Sequence, residues 1–124
     1  MRRFVLIAAC GLAALLHGSA AAAEPGAETL TAKGEVVDLA CYMERGDKGR
    51  GPTHLDCADQ CVRGGAPIGL LGSDGSVLLL VENHGKPAPY AQLKKLGGKN
   101  AEVEGVKFNR GGIAALQVNS VKEE

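Results

Sequence analysis

Tryptophan is absent from this sequence, and tyrosine and phenylalanine occur only twice each. A base-stacking platform for single-stranded nucleic acid therefore has almost nothing to be built from, and any core must be filled with Val, Leu, Ile and Ala. Charge of one sign is lacking too, since fourteen Lys and Arg balance fourteen Asp and Glu over 124 residues. That balance leaves no electrostatic footprint for nucleic acid or an anionic membrane surface. No Walker loop, G-x-G-x-x-G fingerprint or Ser-His-Asp spacing stands out. The absence of C-x2-C-H removes covalent c-type haem. Cysteine is sparse, with four residues in the chain.

What is present begins at the amino terminus. Arg2 and Arg3 precede an apolar run from Phe4 to Leu16, and Ala21, Ala22 and Ala23 follow, the order of a secretory signal peptide over residues 1–23. The run is shorter than the roughly 20 apolar residues that a membrane-spanning helix needs, so no stable span is expected. Ile7-Ala8-Ala9-Cys10 also fits a lipoprotein signal, in which Cys10 would carry lipid; the apolar run continuing past Cys10 favours plain cleavage. The expected location is periplasmic or secreted. Removing Arg2 and Arg3 leaves 12 basic residues of the 14, against 14 acidic ones. The exported chain retains Cys41, Cys57 and Cys61. An even set in an oxidising compartment would read as a disulfide framework, whereas three cysteines force a free thiol, an intermolecular pair or another use such as metal ligation.

Residues 24–28 read as a short disordered lead, and 29–122 as a single domain. Thr29 to Leu39 alternates as a strand, with Gly34 as a bend or bulge. Glu44 to Gly51 is glycine-rich and charged, a loop. Thr53, as N-cap with Asp56 three residues on, opens a helix that Gly64-Gly65 stops, predicting a helix over 53–63. Ile68 to Leu71 and Val77 to Val81 flank the hairpin signal Asp74-Gly75. Ala88 to Leu96 has helical spacing, and a second hairpin turns at Asn109-Arg110-Gly111-Gly112. The expected fold class is α+β: a small, mostly antiparallel five-stranded sheet, bent or closed, with two short helices. Five strands with a helix between the third and fourth resemble the oligonucleotide/oligosaccharide-binding (OB) barrel.

The residues with chemistry lie around the first of those helices. At about 100° per residue, His54, Cys57 and Cys61 fall at about 0°, 300° and 340° and project from one face. Cys41, directly after the first strand, can fold over that face. Three thiolates and an imidazole make a four-ligand donor set for copper(I) or zinc, so Cys41, His54, Cys57 and Cys61 are the candidate metal ligands, with copper(I) placed ahead of zinc because thiolates favour it. The pattern C-x12-H-x2-C-x3-C is not a zinc-finger spacing. Met43 is at most an additional soft ligand, and His84, in Asn83-His84-Gly85, reads as a turn residue. Asp56 and Asp59 read as helix charges rather than catalysts.

The Cys57-x3-Cys61 pair resembles that of Sco-type copper chaperones and of the two-copper centre of cytochrome oxidase subunit II. The resemblance covers five residues and implies copper handling outside the cytoplasm. This chain lacks the thioredoxin-like order of elements around the pair, and its histidine precedes the pair instead of lying far downstream. Two alternatives stand beside metal binding. A disulfide from Cys41 to Cys57 or Cys61 would stabilise by roughly 3 kcal/mol on the chain-entropy model and leave a stapled module that binds another exported protein. Thiol redox chemistry is the other. An enzyme would need an open ligand position and a nearby acid or base, and the sequence offers none that stands out.

Overall fold

The computed structural model describes residues 28–124. The expected signal peptide, Cys10 and all of the expected lead except Glu28 lie outside the described residues, and Glu28 already begins a strand. The chain runs β1 (Glu28–Asp38), α1 (Leu39–Arg45), α2 (Leu55–Arg63), β2 (Ile68–Leu71), β3 (Val77–Glu82), α3 (Ala88–Leu93), β4 (Asn100–Arg110) and β5 (Ile113–Glu123), with 3-10 turns at Gly46–Gly49 and Pro52–His54 between the first two helices.

The strands close a barrel in the order β1-β2-β3-β5-β4. With α3 between the third and fourth strands, this is a small OB-like barrel. The expectation of a mostly antiparallel sheet needs one refinement: β3 and β5 run parallel, with Leu80 opposite Leu116. Directions cannot alternate all the way round a closed ring of five, so at least one neighbouring pair must be parallel. It falls where the chain crosses the barrel through α3.

β1 pairs with β4 through residues 28–35 and with β2 through residues 35–38. Gly34 sits at this change of partner. A Cβ there would stand 2.2 Å from the carbonyl oxygen of Leu71, so the strand passes too close for any side chain. Gly34 is therefore a close-approach point; the register irregularity lies in β4, between Glu104 and Gly105.

Aliphatic side chains fill the barrel as the composition requires. Val36, Ile68, Leu70, Leu80, Val103, Leu116 and Val118 meet inside it, Val62 enters from α2, and Leu93 and Leu96 come from α3 and the turn after it. The helix expected from the 88–96 pattern is α3, which ends earlier, at Leu93. The second expected hairpin turns at Gly111-Gly112, between Arg110 and Ile113.

Two local expectations are corrected. Leu39–Arg45 forms a helix, giving three helices among the described residues where two were expected, and Gly46–Gly49 of the expected loop is a 3-10 turn. The helix expected over 53–63 begins at Leu55, and Thr53 does not cap it; His54 occupies the N-cap with no side-chain cap bond. Pro52 favours the tight 3-10 turn that carries the chain into α2.

Candidate metal centre

Four contacts bring the first strand and the first two helices together at one place. Asp38 ends β1 and caps α1, its Oδ1 accepting the amides of Ala40 at 2.9 Å and Cys41 at 3.4 Å. The Leu39 amide donates to the carbonyl of Pro67 at 2.9 Å, tying the start of α1 to the chain leaving α2. Glu35 Oε1 accepts the amide of Gly51 at 2.6 Å, which pins the loop before His54 to β1. Gly49 packs against the backbone of α1, where a Cβ would lie 2.4 Å from the carbonyl oxygen of Cys41.

The outcome is a cluster of thiols, imidazole and carboxylate. Ligand atoms of Cys41, His54 and Cys57 all lie within 4.8 Å of one another, and those of Asp38, Cys41 and Cys61 form a second such group. Cys41 belongs to both. Donors around a tetrahedral zinc, at about 2.3 Å for sulfur and 2.0–2.1 Å for nitrogen, stand roughly 3.6 Å apart, close to the spacing within the first group. All four residues singled out from sequence are therefore in the cluster. His54 gets there from a 3-10 turn rather than from the helical face on which the spacing put it. His84 is exposed, and Asn83 Oδ1 accepts the amide of Gly85 in the expected turn. Met43 is 68% exposed on α1, two residues and so about 200° round the helix from Cys41. Asp59 pairs with Arg63 at 2.9 Å.

Asp38 is the cluster residue that sequence reading did not single out. Its signal was an acidic residue inside the apolar run Val36-Val37-Asp38-Leu39-Ala40, where the barrel buries it completely. Burial raises the pKa of the Asp38 carboxyl, but the neighbouring thiols of Cys41 and Cys61 and the amides of Ala40 and Cys41 outweigh it and hold the group below its ordinary value. The reciprocal effect is large. Beside that carboxylate, and with burial acting in the same direction, the Cys41 thiol is pushed up to about 12, and Cys61 is raised for the same reasons. Without metal the cluster therefore holds protons on Cys41 and Cys61 next to an ionised Asp38.

Two buried polar atoms in the cluster have no hydrogen-bond partner: Nε2 of His54 and Oδ2 of Asp38. His54 is only 6% exposed, so water does not readily take a partner's place. The three cysteines are free thiols, each half-buried. An open surface hollow of about 310 Å³ beside Lys33, Arg50 and Asn100 includes none of these donors. No family model, curated protein or solved structure matches the chain.

Proposed function

We propose that this protein is an exported binder of a soft or borderline metal ion, copper(I) or zinc, which it carries, buffers or senses through Cys41, His54, Cys57 and Cys61. The observation that carries the reading is His54 Nε2, a buried nitrogen without a partner in a histidine whose ring stands among thiols. A buried imidazole nitrogen left unpaired is costly, and a metal among thiolates satisfies it. The donors come from separate segments, α1, the 3-10 turn and α2, which the Glu35–Gly51 and Leu39–Pro67 bonds tie to β1 and to the chain leaving α2. The thiols are half-buried rather than sealed, so an ion can enter and leave by exchange with a partner's ligands. Export rests on the order of basic, apolar and small residues in the first 23 positions. Among the described residues no helix is long and apolar enough to cross a membrane.

The test titrates the reduced protein with copper(I) and with zinc against a competing chelator, then repeats the titration with His54→Ala and Cys57→Ser. Each variant is expected to lose at least the roughly 10–100-fold in affinity that removing a mere supporting residue costs. No stoichiometric binding by the parent, or unchanged affinity in both variants, ends the reading.

One observation favours a second reading: Cys41 Sγ lies within 4.8 Å of the thiols of both Cys57 and Cys61, so oxidation can join it to either. That reading makes the protein a stapled interaction module or a thiol redox protein. Counting free thiols in anaerobically purified protein separates the cases, three for metal binding or redox chemistry and one for the staple.

A further inference from the structure

We infer that Asp38, Cys41 and Cys61 form a second metal position, joined to the first through the Cys41 thiolate, so that the protein holds a pair of divalent ions of zinc's class. The inference rests on the reading of Cys41, His54 and Cys57 as metal ligands, and it assigns Cys61 to the second ion instead of the fourth position of the first. Its geometric basis is the pair of three-donor groups sharing Cys41, each with its ligand atoms within 4.8 Å. A thiolate sulfur has lone pairs enough to bind two metals at once.

Asp38 supplies the independent observation. Oδ1 caps α1, a task that Ser, Thr or Asn performs as well, so capping does not explain why the residue is charged. Oδ2 is buried without a hydrogen-bond partner, in a side chain with no exposure at all. No ion pair among the described residues includes it. Oδ2 thus offers a carboxylate oxygen beside the Cys41 and Cys61 thiols that no hydrogen bond of the protein uses, and a metal there would engage it.

Charge and ligand type select the ions. Three thiolates and one carboxylate carry four negative charges, which two divalent ions neutralise; one zinc leaves two charges and one copper(I) leaves three. Uncompensated charge is unfavourable where the donors are partly or wholly buried. A carboxylate oxygen is a hard donor that suits zinc and is a poor ligand for copper(I). Each ion then has three protein donors and one open position, the arrangement that permits exchange.

The experiment is a zinc titration of the reduced protein against a chromogenic chelator, with the bound ions counted by native mass spectrometry. The parent is expected to hold two zinc ions. Asp38→Asn and Cys61→Ser should each hold one, His54→Ala should hold one, and Cys41→Ser should retain neither tightly. Asp38→Asn keeps an oxygen to cap α1; should it nevertheless unfold, Cys61→Ser, which touches no cap, decides the matter. Cobalt(II) in both positions should give a magnetically coupled pair with a weakened paramagnetic resonance signal, whereas two additive signals would refute the shared thiolate. A parent that binds one zinc, with Asp38→Asn and Cys61→Ser unchanged, overturns the second position and leaves the first intact. A parent that binds none removes the metal reading altogether.

Discussion

Replacing Asp38 with asparagine should make Cys41 a faster nucleophile, and the structure sets the size of the change. In the metal-free protein the Cys41 thiol is pushed from 9.0 to about 12, with the adjoining Asp38 carboxylate as the largest cause and burial second. At pH 8 a thiol at about 12 is roughly one part in ten thousand thiolate, and one at 9.0 is roughly one part in ten. Thiolate nucleophilicity falls with its pKa along a slope of about 0.4–0.5, which takes back roughly twentyfold of that thousandfold gain and leaves about fiftyfold. Burial persists in the variant, and the Cys57 thiol, absent from the background used below, accounts for part of the shift, so the increase should be smaller than about fiftyfold. Exchange with a chromogenic aromatic disulfide measures it, on a Cys57→Ser/Cys61→Ser background that leaves Cys41 as the single thiol of the described residues. A rate unchanged or lowered by Asp38→Asn, in protein with an unaltered circular dichroism spectrum, would show that the carboxylate does not govern this thiol.

The same shifts define a stability window for the metal-free protein. The folded pKa of Cys41 lies above 9.0, so its contribution is complete below about pH 9 and is lost as pH rises toward 12, while Asp38, held low, contributes above about pH 4 and loses its effect as pH falls through its folded value. The urea midpoint should fall above pH 9, and less steeply in Asp38→Asn; identical alkaline limbs would count against the assignment. Gly49→Ala forces a methyl group to within 2.4 Å of the Cys41 carbonyl oxygen, and should lower metal affinity through the displacement of α1. Chelator competition checks this, and an affinity equal to the parent's would mean that the turn does not position Cys41. Val62→Ala, at a side chain with no exposure in the barrel core, should cost about 2 kcal/mol by urea denaturation, and a loss under about 0.5 kcal/mol would show that α2 is not anchored there. Oxidation of Cys41 to a disulfide with Cys57 or Cys61 should abolish metal binding and be reversed by a thiol reductant, because it removes two donors together.

The strands were legible in the sequence because period-two alternation and turn chemistry are local. Asp74-Gly75 and Gly111-Gly112 mark their hairpins without reference to the rest of the chain. The helix that carries Cys57 and Cys61 was legible for a similar reason, though its start was not, since the 3-10 turn at Pro52–His54 competes with an α-helical first turn. α1 went unread because seven residues, with their cap lodged in the last residue of a strand, give too short a pattern for helical periodicity to show.

By itself the sequence determined the order of the five strands, the aliphatic character of the core and the four donors that Cys41, His54, Cys57 and Cys61 could offer. Tertiary structure decided which of these meet. Ring closure made one strand pair parallel, because five strands cannot alternate around a barrel. The bonds from Glu35 to Gly51 and from Leu39 to Pro67 set the separations among Cys41, His54 and Cys61, contacts between residues 16 and 28 positions apart that no local pattern encodes. Asp38 became a member of the cluster only through burial. Its carboxylate reads locally as the polar end of a strand, and it is the packing of α1 and α2 against the barrel that strips it of water and sets it between two thiols.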